Sequence, residues 1–270
     1  MNILLYLIFV IRSAFSVKLG VVSYWDPVAS VYSRIPSNTL AILTADGGVS
    51  GQTYADNQVT LTDIPAFQKI GTSIVARGIH LIGYVPSGGF KHQTTVYGFS
   101  QTWAWLDNQV AASFRSFPFL QGIFYDVAAP SNGDCEAYTA EYQRLRSIVK
   151  KYKSNATIAW NVGSPDECAV PALQTGEILV IFESPLSDFR QSLTDIQYVN
   201  GLVKNKGCLT WVMVDNVKNV TDITSVVQKA KSIGANYVYV TNIGDDWQNG
   251  DNTWGAPPPY LAQEVAAVNA

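Results

Sequence analysis

Charged residues are scarce in this chain of 270 residues, where they make up only 14% of the sequence. Lysine and arginine are scattered and the formal net charge is -3, which gives no basic patch for nucleic acid or for an anionic membrane surface. A neutral ligand is more compatible with this charge balance than a nucleic acid or an anionic membrane. Because charge is so rare, an acid at the end of an apolar run needs a structural or a chemical reason.

Histidine and cysteine are scarcer still. The two histidines are His80 and His92, the chain has three cysteines, and neither a CxxC pair nor a His-rich cluster occurs. The sequence therefore predicts no metal site. No GxGxxG follows the first apolar run, and "ADGGVSG" lacks the lysine and spacing of a phosphate loop, so no nucleotide is expected either. We expect no cofactor.

Long apolar segments are absent beyond the first residues, which predicts no membrane span. The stretch "MNILLYLIFVIRSAFS" is itself too short to cross a bilayer and ends in small residues at Ala14 and Ser16. This pattern is typical of a signal sequence over residues 1–16, with a mature chain at 17–270 that begins at Val17. The alternative is a buried or anchoring helix at the N-terminus.

Two sequons, "NAT" at Asn155 and "NVT" at Asn219, agree with export through a secretory pathway and predict glycosylation there. An odd number of cysteines in an exported chain indicates one bridge and one free thiol. We expect a secreted, monomeric protein whose partner is neither a nucleic acid nor a membrane.

Eight short runs rich in β-branched and aromatic residues recur along the chain. They are "KLGVVSYW", "TLAILTAD", "HLIGYVPSG", "GIFYDVA", "TIAWNVG", "EILVIFES", "CLTWVMVDN" and "NYVYVTNI". Nearly continuous apolar runs are typical of parallel strands covered by helices on the outside. Amphipathic segments of helical length, such as "TAEYQRLRSIVKKYK", lie between several of them.

Strands that alternate with helices eight times favour an α/β fold, a single (β/α)₈ TIM barrel over residues 17–270. An open doubly wound sheet is the main competitor, and the missing nucleotide motifs disfavour it. In such a barrel the loops after the carboxyl ends of the strands build the active site on one face. Asp126 and Glu183, which end the fourth and sixth runs, should therefore meet across the mouth.

Other polar and aromatic residues at or near strand ends are expected to bind substrate beside these two acids. They are Tyr24, Trp25, Asp26, Asp46, Tyr84, Tyr125, Asn161, Asn216 and Trp247. Two carboxylates and nearby aromatic rings are the minimal equipment for hydrolysing a glycosidic bond, since one acid protonates the leaving oxygen while the other attacks or activates water. A structural alternative exists for each acid: Asp126 as a loop cap, and Glu183 as a buried partner of lysine or arginine.

The cysteine positions predict a disulfide between Cys135 and Cys168. Both lie in loops that follow neighbouring strands, the fourth and the fifth, on the same face of the barrel. Cys208 opens the seventh strand at the opposite end, so it is expected to remain a free thiol.

The runs "GVVSYWDP", "LQGIFYD", "AWNVGSP", "ILVIFES" and "GANYVYVTN", with "WGAPPPYLAQEVAAV" at the end, resemble the spherulin-4 family, also called spherulation-specific family 4. Its members share the barrel of glycoside hydrolase family 135. The resemblance implies a secreted endo-acting hydrolase of an α-1,4-linked polysaccharide that contains N-acetylgalactosamine. It also implies that the family's aspartate on the fourth strand is Asp126 and its glutamate on the sixth is Glu183.

The chain departs from the family pattern directly after Asp126. Family members usually carry a second acid there, and this chain has Val127. "LTADGGVSG" and "MVDNV" also replace an Asn-Pro-rich stretch and a histidine-containing one. Two hypotheses of different class follow: a glycoside hydrolase that uses Asp126 and Glu183, and a catalytically silent carbohydrate-binding or cell-wall protein that keeps the cleft.

Overall fold

A computed structural model describes residues 16–44, 64–90, 95–96, 99–130, 133–244 and 252–270. In chain order its strands are β1 (Lys18–Ser23), β2 (Leu40–Leu43), β3 (His80–Pro86), β4 (Thr95–Val96), β5 (Phe99–Ser100), β6 (Gly122–Asp126), β7 (Thr157–Asn161), β8 (Ile178–Pro185), β9 (Leu209–Asp215) and β10 (Tyr237–Val240). The short strands β4 and β5 pair with each other as an antiparallel hairpin. The other eight are parallel and close into a barrel in the order β1-β10-β9-β8-β7-β6-β3-β2.

Helices connect the barrel strands and cover the outside of the barrel. They are α1 (Ala29–Tyr32), α2 (Ile64–Ala76), α3 (Trp103–Ser116), α4 (Ala137–Tyr152), α5 (Leu186–Gln191), α6 (Leu193–Asn205), α7 (Val220–Ile233) and α8 (Leu261–Asn269), with short 3₁₀ segments at Gly88–Phe90 and Glu167–Ala172. The predicted single (β/α)₈ barrel is therefore confirmed. In the part of the chain that the structure describes, no helix has the length and apolarity needed to cross a membrane.

Alternation along each strand decides which side chains fill the barrel and which pack against helices. On β6, Phe124 faces inward and its ring lies edge-on to Trp211 of β9. Tyr125 points outward, where its hydroxyl donates to the carbonyl of Leu145 on α4 at 3.1 Å. The next inward position after Phe124 is Asp126, so the period-2 pattern delivers its carboxylate to the mouth of the barrel.

A buried ion pair outside the barrel neutralises a structural acid, Glu177. The Arg146 guanidinium on α4 donates to both carboxylate oxygens of Glu177, at 2.6 and 2.9 Å. The indole N–H of Trp160 and the backbone N–H of Gln174 donate to Oε2 of the same carboxylate. Both oxygens of Glu177 therefore accept hydrogen bonds, and its buried negative charge is paired with the positive charge of Arg146.

A second buried acid, Glu264 on α8, has a different environment. It is fully buried, and the backbone N–H of Val240 donates to its Oε1 at 2.8 Å. Burial raises the pKa of Glu264 well above its usual value of 4.5, and the bond from Val240 opposes the rise. The folded protein therefore holds this proton to higher pH than the unfolded chain does.

Replacing Glu264 with glutamine should remove much of the pH dependence of the protein's stability. The free energy of unfolding of the parent should fall as the pH rises above about 4.5, by up to about 1.4 kcal/mol per pH unit, because its unfolded state binds fewer protons. Glutamine keeps the carbonyl that accepts from Val240 and has no proton to lose. Urea unfolding at pH 5 and pH 7 measures how the free energy of unfolding changes with pH in the parent and in Glu264→Gln. Glu136→Gln, at an exposed site, is the control. An equal pH slope in parent and Glu264→Gln would contradict the prediction.

Candidate active site

Asp126 ends β6 and receives hydrogen bonds on both carboxylate oxygens. The hydroxyl of Tyr84, from β3, donates to Oδ2 at 2.8 Å. The side-chain amide of Asn161, at the end of β7, donates to Oδ1 at 2.7 Å. The backbone N–H of Val127 also donates to Oδ1, at 2.9 Å. Three donors from three elements therefore fix the orientation of this carboxylate.

Glu183 reaches the mouth because β8 contains an irregularity. Val180 pairs with Trp211 of β9, but the next residue in register with β9 is Phe182, opposite Val212. The extra residue, Ile181, shifts the alternation, as a β-bulge does, so that Phe182 points outward and Glu183 inward. Strict alternation from Val180 would have turned Glu183 towards the helices.

Both oxygens of Glu183 accept hydrogen bonds from N–H donors. The indole N–H of Trp254, in the segment that precedes α8, donates to Oε1 at 2.7 Å. The side-chain amide of Asn161 donates to Oε2. Unlike Glu177, whose partner is Arg146, Glu183 has no hydrogen bond or ion pair with lysine or arginine within the described ranges.

Asn161 thus links the two acids through one nitrogen. Its Oδ1 accepts from the backbone N–H of Gly163 at 3.0 Å, so its Nδ2 is the end that faces the carboxylates. Asp126 Oδ1 and Glu183 Oε2 both lie within hydrogen-bonding distance of that nitrogen, so they are no more than about 6 Å apart. Separations of about 5–5.5 Å are typical of retaining glycosidases and about 6.5–9.5 Å of inverting ones.

The environment of Glu183 favours its protonated form. Burial raises the pKa of Glu183 to about 8, the negative charges of Asp126 and Asp215 add to the rise, and the bonds from Asn161 and Trp254 oppose it. The negative charge of Asp126 thus favours a proton on Glu183, as expected when two carboxyl groups share one site.

Asp126 itself experiences opposing effects. Burial raises its pKa, while the hydrogen bonds from Tyr84, Val127 and Asn161 lower it. Burial is the larger effect, so the pKa of Asp126 lies above its usual value, and the three donors limit the rise by favouring the ionised form.

Val127 adopts a left-handed backbone conformation, with φ of 50°. This region is unfavourable for a β-branched residue and costs about 1–3 kcal/mol. The loop after β3 holds the conformation in place, since the Ser87 hydroxyl and the Gly89 N–H both donate to the Val127 carbonyl. The same residue donates its backbone N–H to Oδ1 of Asp126.

Several residues expected from the sequence to bind substrate lie around this pair. Tyr84 and Asn161 are bonded to it, and Tyr24 is half-buried with its ring edge-on to Tyr84 at 5.1 Å. Asp26 and Asn216 are exposed at the ends of β1 and β9. Asp46 and Trp247 lie outside the described residues.

Two expectations need correction. Trp25 is only 2% exposed and its ring packs against Tyr32, so it belongs to the hydrophobic core beneath α1. Tyr125 is fully buried between β6 and α4 and stacks on Trp160 at 5.3 Å. Both side chains are buried in the hydrophobic core, so a sugar could not contact them.

Trp254 and Asp215 were not predicted from the sequence. Trp254 follows no strand-like run, so neither periodicity nor a strand end marked it. Asp215 is the last residue of β9, and the rule that selected Asp126 would have selected it. The residue predicted to bind substrate at this strand end was the next one, Asn216.

The predicted disulfide is confirmed. Cys135 and Cys168 are bonded, with Cα atoms 4.9 Å apart, and tie the loop after β6 to the one after β7. Cys208 is a buried free thiol, as expected. In the described part of the chain, no group of three or more histidine, cysteine and acidic side chains could hold a metal ion.

The two sequons lie at exposed positions. Asn155 is in the turn before β7. Asn219 is the N-cap of α7, and its Oδ1 accepts from the Asp222 N–H at 2.9 Å. A glycan on Nδ2 would leave that oxygen available to accept this bond. Glycosylation at both sites remains a prediction.

Solved structures of glycoside hydrolases share this barrel. Sph3 of Aspergillus clavatus, solved in complex with GalNAc, superposes with a TM-score of 0.65 at 16% identity, covering 94% of this chain and 98% of that one. PbGH5A, a glycoside hydrolase family 5 enzyme from Prevotella bryantii B14, gives a TM-score of 0.59 at 11% identity, covering 95% and 97%. Endoglucanase Cel5A from Thermotoga maritima gives 0.60 at 9% identity, covering 94% and 98%.

At these identities the likeness shows the barrel fold alone. No curated protein matches the chain in sequence. The sequence model of spherulation-specific family 4, Spherulin4, matches residues 17–268, which is nearly the whole chain. The protein therefore belongs to spherulation-specific family 4.

Proposed function

We propose that this protein is a glycoside hydrolase that cleaves a polysaccharide with Asp126 and Glu183. The observation that carries the proposal is the shared amide of Asn161, which holds both acids at a distance that suits one sugar ring. Two carboxyl groups meet at the mouth of the barrel, and in the proposed mechanism one is an ionised carboxylate and the other a carboxylic acid. That pairing is what the hydrolysis of a glycosidic bond requires.

The proposed roles follow from the two environments. Asp126, whose ionised form is favoured by three donors, is the nucleophile. Glu183, held protonated by burial and by neighbouring negative charge, gives its proton to the leaving glycosidic oxygen and later takes one from water. The separation of no more than about 6 Å supports a retaining mechanism over an inverting one.

The proposed substrate is an α-1,4-linked polysaccharide that contains N-acetylgalactosamine, cleaved in the endo sense. Support comes from family membership and from the complex of the similar Sph3 with GalNAc. The half-buried ring of Tyr24, beside Tyr84, is an aromatic surface near the acids on which a sugar face could stack.

A catalytically silent carbohydrate-binding protein is the second candidate, favoured by one observation. The position after Asp126 carries Val127, which cannot act as an acid. Against it stands the environment of Glu183, since an acid retained only for structure would be expected to pair as Glu177 does with Arg146.

Incubating the purified protein with a panel of amino-sugar polymers tests the proposal. The panel should include α-1,4-linked N-acetylgalactosamine chains, a partly de-N-acetylated form of them, chitin oligomers and a neutral glucan. We expect new reducing ends from the first polymer, with the α configuration retained in the earliest product by NMR. Binding without release of reducing ends from any polymer would replace the hydrolase with the binding protein.

We also propose that the protein is secreted after removal of residues 1–16. The disulfide between Cys135 and Cys168 supports an oxidising compartment, and the exposed Asn155 and Asn219 are accessible to glycosylation. Residues 1–15 lie outside the described part of the chain. Intact-mass analysis of the secreted, deglycosylated protein should show a chain that begins at Val17, and a mass that includes Met1 would overturn the proposal.

A further inference from the structure

A third acid, Asp215, lies on the strand next to Glu183. Met213 of β9 is in register with Glu183 of β8, and Asp215 is two residues further along β9. Alternation therefore places Asp215 on the same inward face as Met213 and Glu183. Its side chain is only 3% exposed, so its charge acts through protein more than through water.

The groups that face Glu183 come from four elements in the described ranges. Asp126 on β6 and Asp215 on β9 are acidic, while Asn161 on β7 and Trp254 before α8 are neutral N–H donors. Asp126 is held by three donors of its own, and it is the reacting nucleophile in the proposed mechanism. Its charge is consumed when it bonds to the sugar. Asp215 is the acid beside Glu183 that forms no bond to the sugar in the proposed mechanism.

We propose that Asp215 is a positioning residue whose buried negative charge keeps the proton on Glu183. The proposal deepens the proposed function, since it depends on Glu183 being the acid. Without Asp215, Glu183 would lose its proton at lower pH, and the fraction of enzyme able to protonate the leaving oxygen would fall. After the nucleophile has reacted, the charge of Asp215 also helps Glu183 to act as the base that takes a proton from water.

Replacing Asp215 with asparagine tests this by direct titration of Glu183. The chain has six glutamates, so protein labelled with ¹³C at the glutamate carboxyl carbon gives six signals, and Glu183→Gln identifies the one that matters. In Asp215→Asn the midpoint of the Glu183 signal should move down by about one pH unit, as expected when a like charge nearby is removed. The alkaline limb of the kcat/KM profile should move by the same amount.

Three further variants complete the titration. Trp254→Phe removes an N–H donor that favours ionised Glu183, so it should move the midpoint in the opposite direction, to higher pH. Asp195→Asn, at an exposed position in the first turn of α6, makes the same charge change away from the mouth and should move neither the midpoint nor the profile. Asp215→Ser, which needs less space than asparagine, replaces Asp215→Asn if that variant does not fold.

The titration requires no substrate, so it separates this proposal from the proposed function. A Glu183 midpoint unchanged in Asp215→Asn and Asp215→Ser would overturn the role of Asp215, even in an active enzyme. Lost activity with an unchanged midpoint would do the same, because Asp215 would then act on the substrate directly. A shifted midpoint in a protein that cleaves no polymer would sustain the coupling and refute the hydrolase.

Discussion

Replacing Asp126 with asparagine should lower the turnover number at least about a thousandfold, since the amide cannot bond to the anomeric carbon. Asparagine keeps an oxygen that can accept from Val127 and Asn161, and its NH₂ group can donate to the hydroxyl of Tyr84. The fold and the binding of substrate should therefore survive. Initial rates on the cleaved polymer, with binding measured by calorimetry, separate the two effects.

The matched control is Asp188→Asn, an exposed position in the first turn of α5. It makes the same chemical change outside the hydrogen-bonded pair and should keep the parent's rate. Glu183→Gln should also abolish turnover, but it is less clean, because its NH₂ group would face one of the two N–H donors that now point at Glu183. Near-native hydrolysis by Asp126→Asn would show that the assignment of roles is wrong.

Replacing Asn161 with alanine should lower the turnover number about a hundredfold while changing KM little. One amide nitrogen holds both acids, so its loss releases each carboxylate to other rotamers, and misplacement by about 1 Å can cost a hundredfold in rate. It also removes a donor that favours the charged forms, so the alkaline limb of the pH profile should move to higher pH.

Asn200→Ala is the control for the cost of deleting a buried amide. Asn200 is also buried, donates to the carbonyl of Ile233 and accepts from Thr210, far from the mouth of the barrel. Both variants should lose stability, but only Asn161→Ala should lose turnover beyond its folded fraction. Equal rates per folded molecule in the two variants would show that Asn161 contributes to stability and has no role in catalysis.

The sequence by itself determined the architecture and the position of one acid. Eight continuous apolar runs separated by helical segments are compatible with few folds other than a parallel barrel, and strand ends in such a barrel share one face. Asp126 follows from this because β6 is regular, so strict alternation carries its carboxylate inward. The bridge between Cys135 and Cys168 follows too, since neighbouring strands bring their loops together.

Only the tertiary structure decided how the site is assembled. The direction of Glu183 depends on the extra residue at Ile181, which is visible in the pairing of β8 with β9 and in no local pattern. Trp254 bonds to Glu183 across a separation of 71 residues, because closure of the barrel brings the end of the chain back to the mouth. Local periodicity reports which face a residue occupies. Which donors meet on that face, and therefore which acid keeps its proton, depends on the closed barrel.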